Sequence, residues 1–185
     1  MKLLRRLLYG AVSLTLIGGL IWQIAPSFSG EQGWKTVAEA APSALRQQLE
    51  QDYAPHVPPA QEVDVGQMHI LKLQESGAFP LHLINTRVHS LEHPDQTPTC
   101  GMGGCLFLGY IPDKSKYKQV LNQLINDFQV EGAPPVIQST RRVLNGVPCF
   151  QLTTYNPSTQ RVNPNQTLCF NGKEFVQAGN EPKSS

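Results

Sequence analysis

Apolar and polar residues follow three different rhythms along this chain. Residues 7–25 run for 19 positions without a charge, about the length needed to cross a hydrocarbon core of roughly 30 Å. From residue 66 the runs shorten. Residues 67–73 and 81–88 are short apolar runs separated by Glu75, Ser76 and Gly77, which reads as two strands. Residues 105–111 (CLFLGYI) are apolar at both parities, as in a strand buried on both faces. Over residues 115–128 the rhythm becomes helical. Tyr117, Val120, Leu121, Leu124, Ile125 and Phe128 form one continuous stripe, and Asp113 or Ser115 offers a cap for the first turn. The spacing predicts an amphipathic helix with its stripe in the core.

The last third of the chain reads as a meander. Asn145-Gly146 and Asn171-Gly172 each lie between extended runs, and Asn-Gly tolerates the positive φ angles of a tight hairpin turn. Four antiparallel strands are expected at about 136–144, 147–155, 166–171 and 173–178. The second turn is expected to set Leu168 opposite Phe175 and Cys169 opposite Glu174. A regular first hairpin would pair Arg141 with Phe150 and turn its side chain toward the phenylalanine face. Arg141 is therefore the ligand-binding candidate, as an anion site, unless it lies at an exposed edge or a β-bulge redirects it. Together these elements predict an α+β fold. A curved antiparallel sheet of about six to seven strands would carry one packed amphipathic helix, preceded by an N-terminal transmembrane or signal helix.

Domain organisation follows from the same pattern. Residues 1–29 read as a signal-anchor or a signal peptide. Lys2, Arg5 and Arg6 would hold that end in the cytoplasm and place the rest outside. Ser27-Phe28-Ser29 is a tolerable cleavage site. Residues 30–65 read as a stalk with a short helix at 43–53, capped by Ser43 and broken by Pro55, Pro58 and Pro59. An ordered arm packed on the domain is the alternative. Residues 66–180 form the domain, and 181–185 a tail.

Charge narrows the range of functions. The 15 basic residues less Lys2, Arg5 and Arg6 leave 12 against 14 acidic, a net −2. That balance gives no footprint for nucleic acid. Asn165-Gln166-Thr167 fits a glycosylation acceptor, used on a eukaryotic secretory route.

The four cysteines lie far behind the apolar start. Cys149 and Cys169 are on neighbouring predicted strands, next to Phe150 and Phe170, and point to the opposite face. A cross-strand disulfide there closes a loop worth roughly 3 kcal/mol in the chain-entropy model. Cys100 and Cys105 enclose Gly101, Met102, Gly103 and Gly104, and the glycines permit the reversal that a small disulfide ring needs. Two alternatives stay open. His89, His93, Cys100 and Cys105 are a possible metal set, with zinc suited to the thiolates and Met102 suited to copper. Cys100 and Cys105 are also candidates for thiol–disulfide exchange. Exchange enzymes typically use Cys-x-x-Cys at a helix start, whereas here the spacing is longer and a strand follows. His82, between Leu81 and Leu83, reads as a sheet residue. No nucleophile elbow, zinc-protease helix, phosphate loop or haem site occurs, so no catalytic residue is assigned and no cofactor is expected.

Leu83 to Arg87 (LINTR), Cys100 to Tyr110 (CGMGGCLFLGY), Gly146 to Leu152 (GVPCFQL) and Thr167 to Gly172 (TLCFNG) resemble uncharacterised exported proteins of cyanobacteria. The resemblance covers about residues 66–178 and implies a periplasmic or thylakoid-lumen address. It carries over no functional residues. The expected function is that of a non-catalytic, membrane-tethered extracytoplasmic domain. Residues 7–25 would hold it in the membrane while it binds a protein partner, as an accessory or assembly factor.

Overall fold

The computed structural model describes residues 33–53, 63–93, 95–127, 135–156, 161–163 and 166–178. The expected anchor at 1–29, the tail at 181–185 and Asn165 of the glycosylation motif lie outside these residues. Among the described residues no helix is long and apolar enough to cross a membrane.

The chain begins with β1 (Lys35–Thr36), α1 (Val37–Ala40) and α2 (Ser43–Tyr53), then β2 (His69–Leu73) and β3 (Leu81–Asn85). β4 (Cys100–Gly101), β5 (Gly104–Asp113) and β6 (Lys116–Ile125) follow. β7 (Ile137–Leu144), β8 (Val147–Leu152), β9 (Tyr155–Asn156), β10 (Arg161–Val162), β11 (Gln166–Phe170) and β12 (Phe175–Gln177) complete it. A six-stranded sheet has the order β1-β2-β3-β5-β4, with β6 also on β5. A four-stranded sheet has the order β12-β11-β8-β7, and β9 and β10 form a small ladder. All pairings are antiparallel.

The six-stranded sheet is covered on both sides. One face packs on the four-stranded sheet through Leu81, Leu83, Phe107, Leu121 and Ile125 against Val147, Phe150, Leu168 and Phe170. The other packs under α2, with Leu45, Leu49 and Tyr53 on Ile70, Ile84, Leu108 and Tyr110. The two-faced apolar run 105–111 is thus the central strand, β5, buried from Cys105 to Ile111. Each fully buried leucine in these layers contributes about 1.5–3 kcal/mol.

The class is α+β-like and mostly antiparallel sheet, but its helix is not the expected one. Residues 116–125 form β6. Lys114 takes φ 55, and Asp113 pairs with Lys116, so residues 114–115 make a tight hairpin turn instead of a helix cap. The helical stripe arises from a β-bulge. Register shifts between Gly109 and Tyr110, so Val120 and Leu121 are buried side by side. Two adjacent buried residues and a later Ile125 mimic a 3.6-residue period. Gly109 makes the close approach possible, since a Cβ there would lie 2.7 Å from Leu121 Cβ. Leu124, a member of the stripe, is 57% exposed.

The packed helix is α2, which lies within the segment expected as a stalk. Its predicted span matches, and Leu45, Leu49 and Tyr53, one per turn, are buried. β1 adds to β2, and Thr36 caps α1, its Oγ1 accepting from the Glu39 amide while its own amide donates to the Glu39 carboxylate. The described part of this segment is thus an arm packed on the domain.

The meander follows expectation with two corrections. Asn145 and Gly146 take φ 49 and 74, and Leu144 pairs with Val147, so the first turn is the two-residue hairpin. The second is longer. Phe170 pairs with Phe175 and Cys169 with Val176, because Asn171 Oδ1 accepts from the amides of Lys173 and Glu174 and builds a four-residue loop. In the first hairpin the register shifts between Ser139 and Val143, and Ser139, not Arg141, pairs with Phe150. Arg141 is exposed, on the bulge.

Candidate functional site

A single helix is about 10–12 Å across, whereas five strands abreast span about 20 Å. α2 therefore leaves part of its sheet face open. Beyond it lies a groove of about 480 Å³ lined by Pro98, Thr99, Cys100, Gly101, Leu106, Asn122 and Leu124. Its floor is β5 and β6, and its rim is the β4–β5 loop. Met102, at the tip of that loop, is fully exposed.

The floor is tied together by buried hydroxyls. Thr86 and Thr99 share a hydrogen bond of 2.7 Å between their Oγ1 atoms. Thr86 Oγ1 also reaches the Leu106 carbonyl at 2.9 Å, and Thr99 Oγ1 the Thr86 carbonyl at 3.1 Å. The Tyr53 hydroxyl completes the set at 3.5 Å from Thr99. Its pKa is raised, chiefly by burial, so it stays a neutral donor. This network fixes the end of α2 and the loop before β4 to the central strand.

The rim is a disulfide. Cys100 pairs directly with Cys105 across β4 and β5, and the two are bonded. Gly104 takes φ 106, and a Cβ there would fall 2.1 Å from the Ile125 carbonyl oxygen, so the loop demands glycine at this position. Cys105 is fully buried, while Cys100 is part-exposed. Arg87 lies against the bond, its Nε donating to Cys105 Sγ at 3.3 Å. Asp127 pairs with the same guanidinium. Asn85 steers both, accepting from the Arg87 amide at 2.9 Å and donating to Asp127 at 3.3 Å.

The four expected cysteines are brought together in the two expected pairs. Cys149 and Cys169 are bonded to each other and fully buried. Cys100 and Cys105 spend their thiols on one another, so neither offers a thiolate. His89 and His93 are exposed in the loop after β3, and among the described residues no three His, Cys, Asp or Glu side chains form a metal-holding group. Two disulfides fit a chain that folds in an oxidising compartment.

A second polar feature lies under α2. Lys72, His82, Tyr110 and Gln119 stand in register across β2, β3, β5 and β6. His82 Nδ1, Tyr110 Oη and Gln119 Nε2 are buried without a hydrogen-bond partner among the described residues. Burial, then the Lys72 charge, lowers the His82 pKa to about 4. Burial and the nearby Asp52 carboxylate push the Tyr110 phenol well above its usual value. Asp52 and Gln119 flank that hydroxyl without reaching hydrogen-bond geometry to it. Both groups are neutral at pH 7. His82 is a sheet residue, as expected, with its ring edge-to-face on Tyr117.

Sequence reasoning found the disulfide loop but missed Arg87, Asp127, Thr86, Thr99 and Leu124 as its surroundings. Arg87 and Asp127 are 40 residues apart, and no local pattern links them. No family model, curated protein or solved structure matches the chain.

Proposed function

We propose that this chain is a non-catalytic binding domain held at a membrane by residues 7–25, outside the cytoplasm, in a periplasm or thylakoid lumen. It docks a protein partner at the groove beside the Cys100–Cys105 loop, as an accessory or assembly factor. One observation carries this reading: beyond α2 the six-stranded sheet opens onto this groove, where Leu124 and the loop tip Met102 are presented to solvent. Exposed apolar side chains around a polar-rimmed depression mark interaction sites. β6 also supplies an edge, since among the described residues its ladder partner is β5 alone, and an extended segment can add to such an edge. Lys116 and Lys118 at its start would discourage non-specific pairing.

The test is site-specific photo-cross-linking of the full chain in its own membranes. A photoreactive residue at position 124 is expected to capture one discrete protein partner. The same group at Phe79, an exposed aromatic beside the β7–β8 turn, is expected to capture none. Silence at 124, or the same products from both positions, would sink the proposal.

A further inference from the structure

We infer that the Cys100–Cys105 disulfide is a thiol–disulfide exchange site that accepts two electrons from a dithiol, with Cys100 attacked and Cys105 leaving. The inference stands apart from what the groove binds.

The two bridges differ in what surrounds them. Both sulfurs of Cys149–Cys169 belong to residues with no exposed surface. The other bridge is asymmetric. Cys100 is part-exposed at the margin of the sheet–sheet core, whereas Cys105 is sealed within it. An incoming thiolate therefore meets the Cys100 side of the bond before the Cys105 side. The buried sulfur is the one that Arg87 touches. Thiolate leaving groups depart faster as their pKa falls, and an adjacent guanidinium lowers that pKa. Dedicated exchange sites place a helix N-terminus behind the sulfur; here a side chain fills that place. Asp127 partly offsets the charge but also anchors it, and Asp127 is itself held by Asn85.

The step balances. A donor thiolate attacks Cys100 Sγ and forms a new sulfur–sulfur bond there. The Cys100–Cys105 bond breaks, and its electron pair leaves on Cys105 Sγ beside Arg87. The donor's second thiol loses its proton to water and attacks the mixed disulfide. Cys100 departs as a thiolate and is protonated by solvent, and the donor leaves as a disulfide. Opening the bridge frees the β4–β5 loop from its cross-link at the groove rim.

The experiment titrates the full-length protein with dithiothreitol, alkylates the freed thiols and maps each cysteine by mass. Cys100 and Cys105 are expected to open at a dithiol concentration about tenfold or more below that needed for Cys149 and Cys169. Opening of both pairs together overturns the inference. Trapping with the monothiol glutathione is expected to leave the adduct on Cys100, and an adduct on Cys105 refutes the direction of attack. Arg87→Gln is expected to slow opening of the first bridge about three- to tenfold while leaving the second unchanged, and Arg87→Lys to restore part of the rate. In the reduced protein, thiolate absorbance is expected to appear at lower pH in the wild type than in Arg87→Gln. An unchanged rate and titration in that variant remove Arg87 from the site. The wild-type comparison of the two bridges decides the main point even if the variants fail to fold.

Discussion

The two faces of the six-stranded sheet solve different problems. The face against the four-stranded sheet is apolar throughout its buried cluster, closed by Phe107, Phe150 and Phe170. The face under α2 carries a polar row, Lys72 to Gln119, with three buried atoms lacking partners. Two cavities border α2 or the strands it leaves open, the groove and a smaller one of about 340 Å³ between α2 and the β5–β6 turn. Sheet on sheet brings two wide apolar faces together, as in the cluster of Leu81, Phe107, Phe150 and Phe170. Helix on sheet does not, because the helix is narrower than what it covers. Openings and polar groups therefore collect on the helix side, and that is where a binding site can form without cutting into the main core.

Substitutions can break this comparison. Phe150→Ala empties the sheet–sheet interface and is expected to cost about 3–5 kcal/mol, measured by denaturant unfolding. Leu49→Ala, under α2, is expected to cost less, near the lower end of about 2–5 kcal/mol, because a helix edge can settle toward the gap. Equal losses would mean that the two faces are packed alike. The pH dependence sharpens the contrast further. His82 is neutral when folded down to about pH 4, while the unfolded chain takes up its proton near 6.5. Above 6.5 neither state is charged and stability is full. As pH falls from 6.5 toward 4 the unfolded state binds the extra proton, so stability declines by on the order of 2–3 kcal/mol, then levels off. His82→Gln should flatten that stretch of the stability–pH profile; an unaltered slope would place the charge change elsewhere. The smallest effect is at the groove. Leu124→Asp is expected to shift stability by no more than about 0.5 kcal/mol, yet to abolish partner cross-linking from neighbouring positions. A large loss of stability would make Leu124 part of the core after all.

The two long hairpins show what was legible. Asn145-Gly146 announces a turn in two residues, and the structure places it there. Lys114-Ser115 makes a turn of the same length with no such signature. Its strands, β5 and β6, were read as strand and helix, because a bulge opposite Gly109 buried two consecutive residues. The same kind of irregularity moved Arg141 off Phe150 and out to solvent. Bulges are set by contacts across the ladder, and one sequence window does not contain them. The site was legible in the same uneven way. The glycine-rich ring between Cys100 and Cys105 is local, and its bond was expected. Arg87 beside Cys105, and Leu124 beside Gly103, meet only when β3, β5 and β6 are side by side.

The sequence by itself determined the meander, the Cys149–Cys169 bridge, the span of α2 and the two-sided burial of β5, and it pointed to the Cys100–Cys105 ring. These rest on short-range signals: turn dipeptides, parity, and cysteines a few residues or one hairpin apart. Tertiary structure decided the rest. It chose strand over helix for residues 116–125, since nine residues paired along β5 gain a ladder and a buried face that a lone amphipathic helix would have to find elsewhere. It drew residues 35–53 onto the sheet to cover apolar side chains of β2, β3 and β5. Above all it left one helix to cover a wider sheet, because a helix is narrower than five strands abreast, and it brought the Cys100–Cys105 loop beside the uncovered remainder.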